Sequence, residues 1–61
     1  MKQRNFRQDI ADELDRLALQ MRSTAAKMQA DESLDWNKHG IEMEGASELA
    51  REWAKEIRRD A

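Results

Sequence analysis

The 61-residue sequence contains no cysteine, no proline and no long apolar run. Without cysteine the chain forms no disulfide and offers no thiolate ligand to a metal. No apolar stretch is long enough to span a membrane, and acidic residues at positions 9, 12 and 13 interrupt the basic start before a signal peptide develops. We therefore expect a soluble, cytoplasmic protein.

Glycine is also scarce, with two residues, while Ala, Leu, Met, Glu, Lys, Arg and Gln dominate the composition. These residue types favour helices, and few strand formers compete with them. The charged fraction of 39% is high enough to raise disorder as an alternative, but the sustained apolar periodicity argues against it. The composition predicts an all-α protein.

A chain of 61 residues forms one small domain, residues 1–61, that buries little apolar surface by itself. His39 is the only histidine, and a single imidazole cannot build a metal site. We expect no metal and no cofactor. In the absence of disulfides and metals, such a domain is expected to gain stability by oligomerising.

Charge is distributed unevenly along the chain. The formal net charge is −2, divided into +2 over residues 1–30, −5 over residues 31–48 and +1 over residues 49–61. The acidic middle segment argues against contact between that end of the molecule and nucleic acid.

Apolar residues of the second half recur alternately three and four positions apart, as in helices that pack at a shallow angle. The positions are Trp36, His39, Met43, Ala46, Ala50, Trp53 and Ile57. This pattern predicts a helix over about 34–59, with Ser33 as its N-cap. The alternating spacing of three and four residues continues without interruption across Gly40. We therefore expect one continuous helix in which Gly40→Ala leaves the fold intact.

The first half has a similar rhythm. Its apolar positions are Phe6, Ile10, Leu14, Leu17, Met21, Ala25 and Met28. They predict an amphipathic helix over about 6–29, with Asn5 as its N-cap. Residues 30–33 then form the turn.

A short turn makes the two helices antiparallel neighbours, in which opposite residues have numbers that sum to about 64. On this pairing Trp53 is a core anchor that faces Ile10 and Leu14, and several large residues face small ones. We expect this antiparallel hairpin to dimerise into a four-helix bundle. The expected core and interface residues are Phe6, Ile10, Leu14, Leu17, Met21, Met28, Trp36, Met43, Ala46, Ala50, Trp53 and Ile57.

No catalytic pattern emerges from the sequence, so we expect no enzyme activity. His39 could act as a base or ligand, but a structural or partly exposed histidine is the favoured interpretation. An acidic ridge that includes Glu44, Glu48 and Glu52 could mimic nucleic-acid phosphates, although a basic ridge beside it favours a solvated surface. Lys2 could contact a phosphate backbone together with Arg4 and Arg7, but no aromatic platform accompanies these cations.

The stretch from His39 to Ile57 contains the pairs Gly45-Ala46, Ala50-Arg51 and Trp53-Ala54. It resembles the very small early-region accessory proteins of lambdoid temperate phages, which are encoded near the recombination and excision genes. The resemblance implies a non-enzymatic protein that modulates host or phage development by binding another protein, in the cytoplasm of a bacterial host.

The sequence thus predicts a homodimeric accessory factor that acts by protein–protein interaction with a host or phage protein. Contact with nucleic acid is not expected. Two alternatives remain open at this point. One is a small DNA-associated regulator that uses the N-terminal cations, and the other is an inhibitor that mimics nucleic acid through the acidic ridge.

Overall fold

The computed structural model describes residues 6–60, which form two helices and one turn. Helix α1 spans Phe6–Gln29 and helix α2 spans Leu34–Asp60. The helices pack side by side as an antiparallel hairpin, which confirms the predicted all-α fold class. Asn5, expected to cap α1, and the cations Lys2 and Arg4 lie outside the described residues.

The charges near the helix ends complement the helix dipoles. Asp9 lies in the first turn of α1 and Lys27 in its last turn. In α2, Asp35 lies in the first turn, and Arg58 and Arg59 lie in the last. Negative charge near a helix N-terminus and positive charge near its C-terminus stabilise both helices.

The turn between the helices is fixed by local hydrogen bonds. The Ser33 backbone N–H donates to the Asp31 Oδ1 atom at 2.7 Å. The Ser33 carbonyl accepts the backbone N–H of Asn37 at 3.0 Å, at the start of α2. The Asn37 side-chain amide donates to the Gln29 carbonyl across the turn. These bonds satisfy backbone groups that a chain reversal without glycine or proline would otherwise leave unpaired.

The hairpin is a single layer of two helices, with extents of 54 × 17 × 10 Å. Its radius of gyration is 14.6 Å, whereas a compact domain of this length would have about 10.5 Å. An elongated layer this thin leaves both of its broad faces accessible. Neither described helix is both long enough and apolar enough to cross a lipid bilayer.

The line of contact between the helices consists of small residues. They are Ala11, Ala18 and Ala25 of α1 and Gly40, Ser47, Ala50 and Ala54 of α2, all of them buried. Most recur every seven residues, close to two helical turns, so they form a nearly straight stripe along each helix. Small side chains along such a stripe allow two helices to approach closely.

The helices approach each other closely at Gly40. A Cβ atom built there would lie 2.9 Å from the Ala25 carbonyl oxygen and 2.9 Å from the Gln29 backbone nitrogen. Seven residues further along both helices, Ala18 comes opposite Ser47. The residue numbers at these opposite positions sum to 65, against the expected value of about 64.

The continuity of α2 through Gly40 is confirmed, since Gly40 lies within the helix and no described glycine has a positive φ. The expectation that Gly40→Ala is harmless is revised to one of destabilisation, because an added methyl group would meet helix backbone rather than open space. Backbone atoms cannot move aside as the end of a flexible side chain can.

The expected packing of the large side chains inside the hairpin is also wrong. Trp53, the expected core anchor, is 50% exposed. It immediately precedes the buried Ala54, and one residue turns an α-helix by about 100°. The small residues therefore face the other helix, and most of the large ones are turned toward one side. Leu19 and Ile41, each of which follows a buried small residue, are exposed on the opposite side.

Candidate protein-interaction surface

One side of the hairpin carries the polar contacts between the helices. The Arg58 guanidinium lies 3.0 Å from Asp12 Oδ1 and 2.8 Å from Asp15 Oδ2. The hydrogen bonds that Arg58 donates to Asp15 and Asp12 raise its pKa above the ordinary value. Near the turn, the Gln29 side-chain amide donates to Glu44 Oε1 at 2.7 Å.

The other side of the hairpin is apolar, as the order of residues along the helices requires. Ile10 precedes the buried Ala11 in α1, just as Trp53 precedes the buried Ala54 in α2. In two antiparallel helices, the residue before a contact-line residue is rotated to the same side of the hairpin in either helix. Ile10 and Trp53 therefore point to the same side. Asp12 follows Ala11 and is turned in the opposite sense, toward the polar side.

The same geometry turns the twelve residues that the sequence predicted for a core or an interface toward this side, together with Thr24 and His39. We call these twelve the apolar face: Phe6, Ile10, Leu14, Leu17, Met21, Met28, Trp36, Met43, Ala46, Ala50, Trp53 and Ile57. Ala50 alone among them is buried in the hairpin, and the others are half-buried or exposed.

His39 lies at the edge of the apolar face and makes two local contacts. Its Nδ1 atom is 2.8 Å from Glu42 Oε1. Its ring meets that of Trp36 edge to face, with 5.4 Å between the ring centroids. The histidine thus helps to orient Trp36. Within residues 6–60, no cluster of His, Asp or Glu side chains is suited to hold a metal ion.

The one wholly buried hydroxyl of the described chain, that of Ser47, is occupied within its own helix. Ser47 Oγ donates to the Glu44 carbonyl oxygen at 2.6 Å. A hydroxyl that is buried and bonded in this way is not presented to a substrate. Its position among the small residues is explained by size, because serine is nearly as small as alanine.

The acidic ridge expected from the sequence is interleaved with basic residues. Glu48 and Glu52 line one shallow surface groove together with Arg51 and Lys55. Alternating charges of opposite sign largely cancel the potential that a phosphate mimic would need. This surface therefore has the character of a solvated helix face.

Sequence reasoning found the apolar face but not the contact line. The available signal was the spacing of small residues, with Ala11, Ala18 and Ala25 at intervals of seven matched by Gly40, Ser47 and Ala54. Small residues contribute little to hydrophobic periodicity, so a search for large apolar side chains does not detect them. Size, and not hydrophobicity, selects which side of each helix meets the other.

Comparisons with known proteins identified no relative. No protein-family model matches this chain, and neither a curated protein nor a solved structure does. The function is therefore inferred from the residues and their arrangement alone.

Proposed function

We propose that this chain is a non-enzymatic accessory protein that acts by protein–protein interaction, and that its apolar face binds a second copy to form a four-helix bundle. One observation carries the proposal: Trp36 and Trp53, which are 55% and 50% exposed, share one face with Leu17, which is 48% exposed. Extended apolar patches of this kind mark interaction sites in soluble proteins.

The energetics of the isolated hairpin support a partner on this face. The fully buried apolar groups are methyl groups of alanine, and burying one such carbon contributes only about 0.8 kcal/mol. Full burial of a large apolar side chain contributes about 1.5–3 kcal/mol. Most of the available hydrophobic stabilisation is therefore left to an intermolecular contact.

The dimensions of the face fit a second copy. The broad side of the two-helix layer is about 40 Å long, from the 27 residues of α2, and 17 Å wide. That area is close to the roughly 800 Å² that each partner buries in a standard protein–protein interface. A second hairpin presents an apolar face of identical length and width, so the two faces can cover each other completely.

The charge pattern favours protein interaction over the nucleic-acid alternatives. Glu48 and Glu52 are neutralised by neighbouring cations, as described above. The resemblance to phage early proteins extends the proposal, with a host or phage protein as the further partner in the cytoplasm of a bacterial host.

Sedimentation equilibrium of the wild type and two charge variants tests self-association. Leu17→Glu introduces a carboxylate in the middle of the apolar face and should abolish the dimer. Leu19→Glu is the matched control, because Leu19 lies two residues away in α1, is 66% exposed and is turned toward the opposite side. It should leave the dimer unchanged.

A folded wild-type monomer at micromolar concentration would refute the proposal. Equal loss of self-association in both variants would show that the contact does not use the apolar face. Helical content, followed by circular dichroism at each concentration, distinguishes a dissociated hairpin from an unfolded chain.

A further inference from the structure

We infer that the second copy stacks on the apolar face with its turn at the opposite end of the bundle. This inference rests on the proposed function, because it specifies the arrangement of the proposed dimer. Two hairpins that cover each other face to face have two symmetric choices, with the turns at the same end or at opposite ends. Both make every neighbouring pair of helices antiparallel, so helix direction does not decide between them.

The first argument comes from charge. Opposite positions sum to 65, so residues 17–48 form the half of the hairpin that contains the turn. This half carries three basic and six acidic residues, a formal charge of −3, while the rest of residues 6–60 carries −1. Turns at the same end would place −3 beside −3, whereas turns at opposite ends place −3 beside −1 twice and so avoid the strongest juxtaposition of like charge.

The charges that enter this comparison lie at the rim of the stacked layers, which are about 10 Å apart. At physiological ionic strength the Debye length is about 8 Å, so neighbouring rims still interact appreciably. Placing like charges opposite each other across an interface costs more free energy than an exposed pair of opposite charges contributes. Repulsion therefore discriminates between the two arrangements. The charge distribution therefore favours turns at opposite ends.

The second argument comes from the volumes of the side chains. Trp36 and Trp53 are 17 residues apart, or about 25 Å along α2. With the turns at the same end, each tryptophan would share its layer with the same tryptophan of the second copy, and the layers around Ala46 and Ala50 would be thin. An interior of such uneven thickness cannot be filled without voids or strain.

Turns at opposite ends distribute the same volumes evenly. When the two faces overlap completely, Trp53 comes level with Met43 of the second copy, and Trp36 comes level with Asp60 of the second copy. The four tryptophans then occupy four separate layers. Leu17 lies near the two-fold axis, beside Leu17 of the second copy, and each α1 stacks on the other α1.

Distances between spin labels test the arrangement. The chain has no native cysteine, so single cysteines can be introduced and labelled specifically. Ala30→Cys labels an exposed, uncharged position at the turn. Gln20→Cys labels an exposed position near the middle of α1 and is the matched control, because its two copies lie close together in either arrangement.

The proposed arrangement predicts a distance of about 40 Å between the two labels at position 30, from 26 residues of helical rise. Turns at the same end would give a distance below about 20 Å, set by the spacing of the helices. A short distance between the labels at both position 30 and position 20 would show a dimer with its turns at the same end. That result would overturn the inference but support the dimer. The absence of dipolar coupling at both positions would instead refute the dimer and, with it, the proposed function.

Discussion

Gly40 and Ala25 bring the two helices closer together than any side chain would allow. A Cβ atom at position 40 would lie 2.9 Å from the Ala25 carbonyl oxygen, a separation that real Cβ atoms do not tolerate. It would also lie 2.8 Å from Gln29 Cγ. The Gln29 side-chain amide bonds the Gly40 carbonyl at 3.4 Å, so the glycine is enclosed by groups that hold α1 and α2 together near the turn.

Gly40→Ala should therefore lower the free energy of unfolding. The better helix propensity of alanine contributes up to about 1 kcal/mol, but overpacking against fixed backbone typically costs about 1–3 kcal/mol. Gly45→Ala is the matched control, because nothing lies within 4 Å of a Cβ atom at that exposed glycine. It should stabilise the protein by up to about 1 kcal/mol.

Urea unfolding at one fixed protein concentration compares the two glycine variants, since dimerisation makes stability depend on concentration. The close approach would be disproved if Gly40→Ala stabilised the protein as much as Gly45→Ala does.

Ser47 offers a test of whether size or polarity matters along the contact line. Because its hydroxyl bonds the Glu44 carbonyl within the same helix, Ser47→Ala should change the free energy of unfolding by less than about 1 kcal/mol. Ser47→Leu inserts a large side chain between the helices and should cost at least about 1–3 kcal/mol. Thermal unfolding of both variants measures the difference, and a Ser47→Leu protein as stable as the wild type would contradict the small-residue contact.

The contacts of Arg58 with Asp12 and Asp15 predict a salt-sensitive contribution to stability. Arg58→Gln should destabilise the protein more than Arg59→Gln, which removes the same charge from the same helical turn. The difference between the two variants should shrink in 1 M salt, where the Debye length is about 3 Å. Equal stabilities of the two variants at low salt would exclude a contribution from the cross-helix pair.

The sign of the arginine pKa shift fixes its pH dependence. The pKa of Arg58 is raised because Asp15 and Asp12 bind its charged form. The stabilisation is thus fully present below the ordinary pKa of arginine and is lost only as the pH rises through the raised value. The Arg58→Gln effect should accordingly be the same at pH 7 and pH 9, which paired urea titrations measure.

Tryptophan fluorescence provides a measurement of the interface without mutation. Both indoles are about half-exposed in the hairpin, and the proposed dimer covers them. Acrylamide quenching should therefore be weak at high protein concentration and should increase on dilution. The Leu17→Glu variant should be strongly quenched at all concentrations, and wild-type quenching that equals it throughout would argue against the dimer.

The sequence by itself determined the two helices, the position of the turn and the membership of the apolar face. These features follow from local chemistry: helical periodicity, charges near the helix ends and a short polar segment between two amphipathic runs. Residues such as Leu14 and Trp53 share one face because their spacing matches the helical repeat, whatever that face packs against.

Only the tertiary structure decided which stripe of each helix meets the other. Hydrophobicity favours Trp53 and Leu14 at the contact, yet the buried Ala54 and Ala18 lie on it. Two helices in a single layer can meet along the small residues and leave the large ones for another molecule, because a hairpin cannot enclose a wide apolar stripe by itself. The physical reason is geometric: a helix presents one line to one neighbour, and a second apolar line needs a second neighbour.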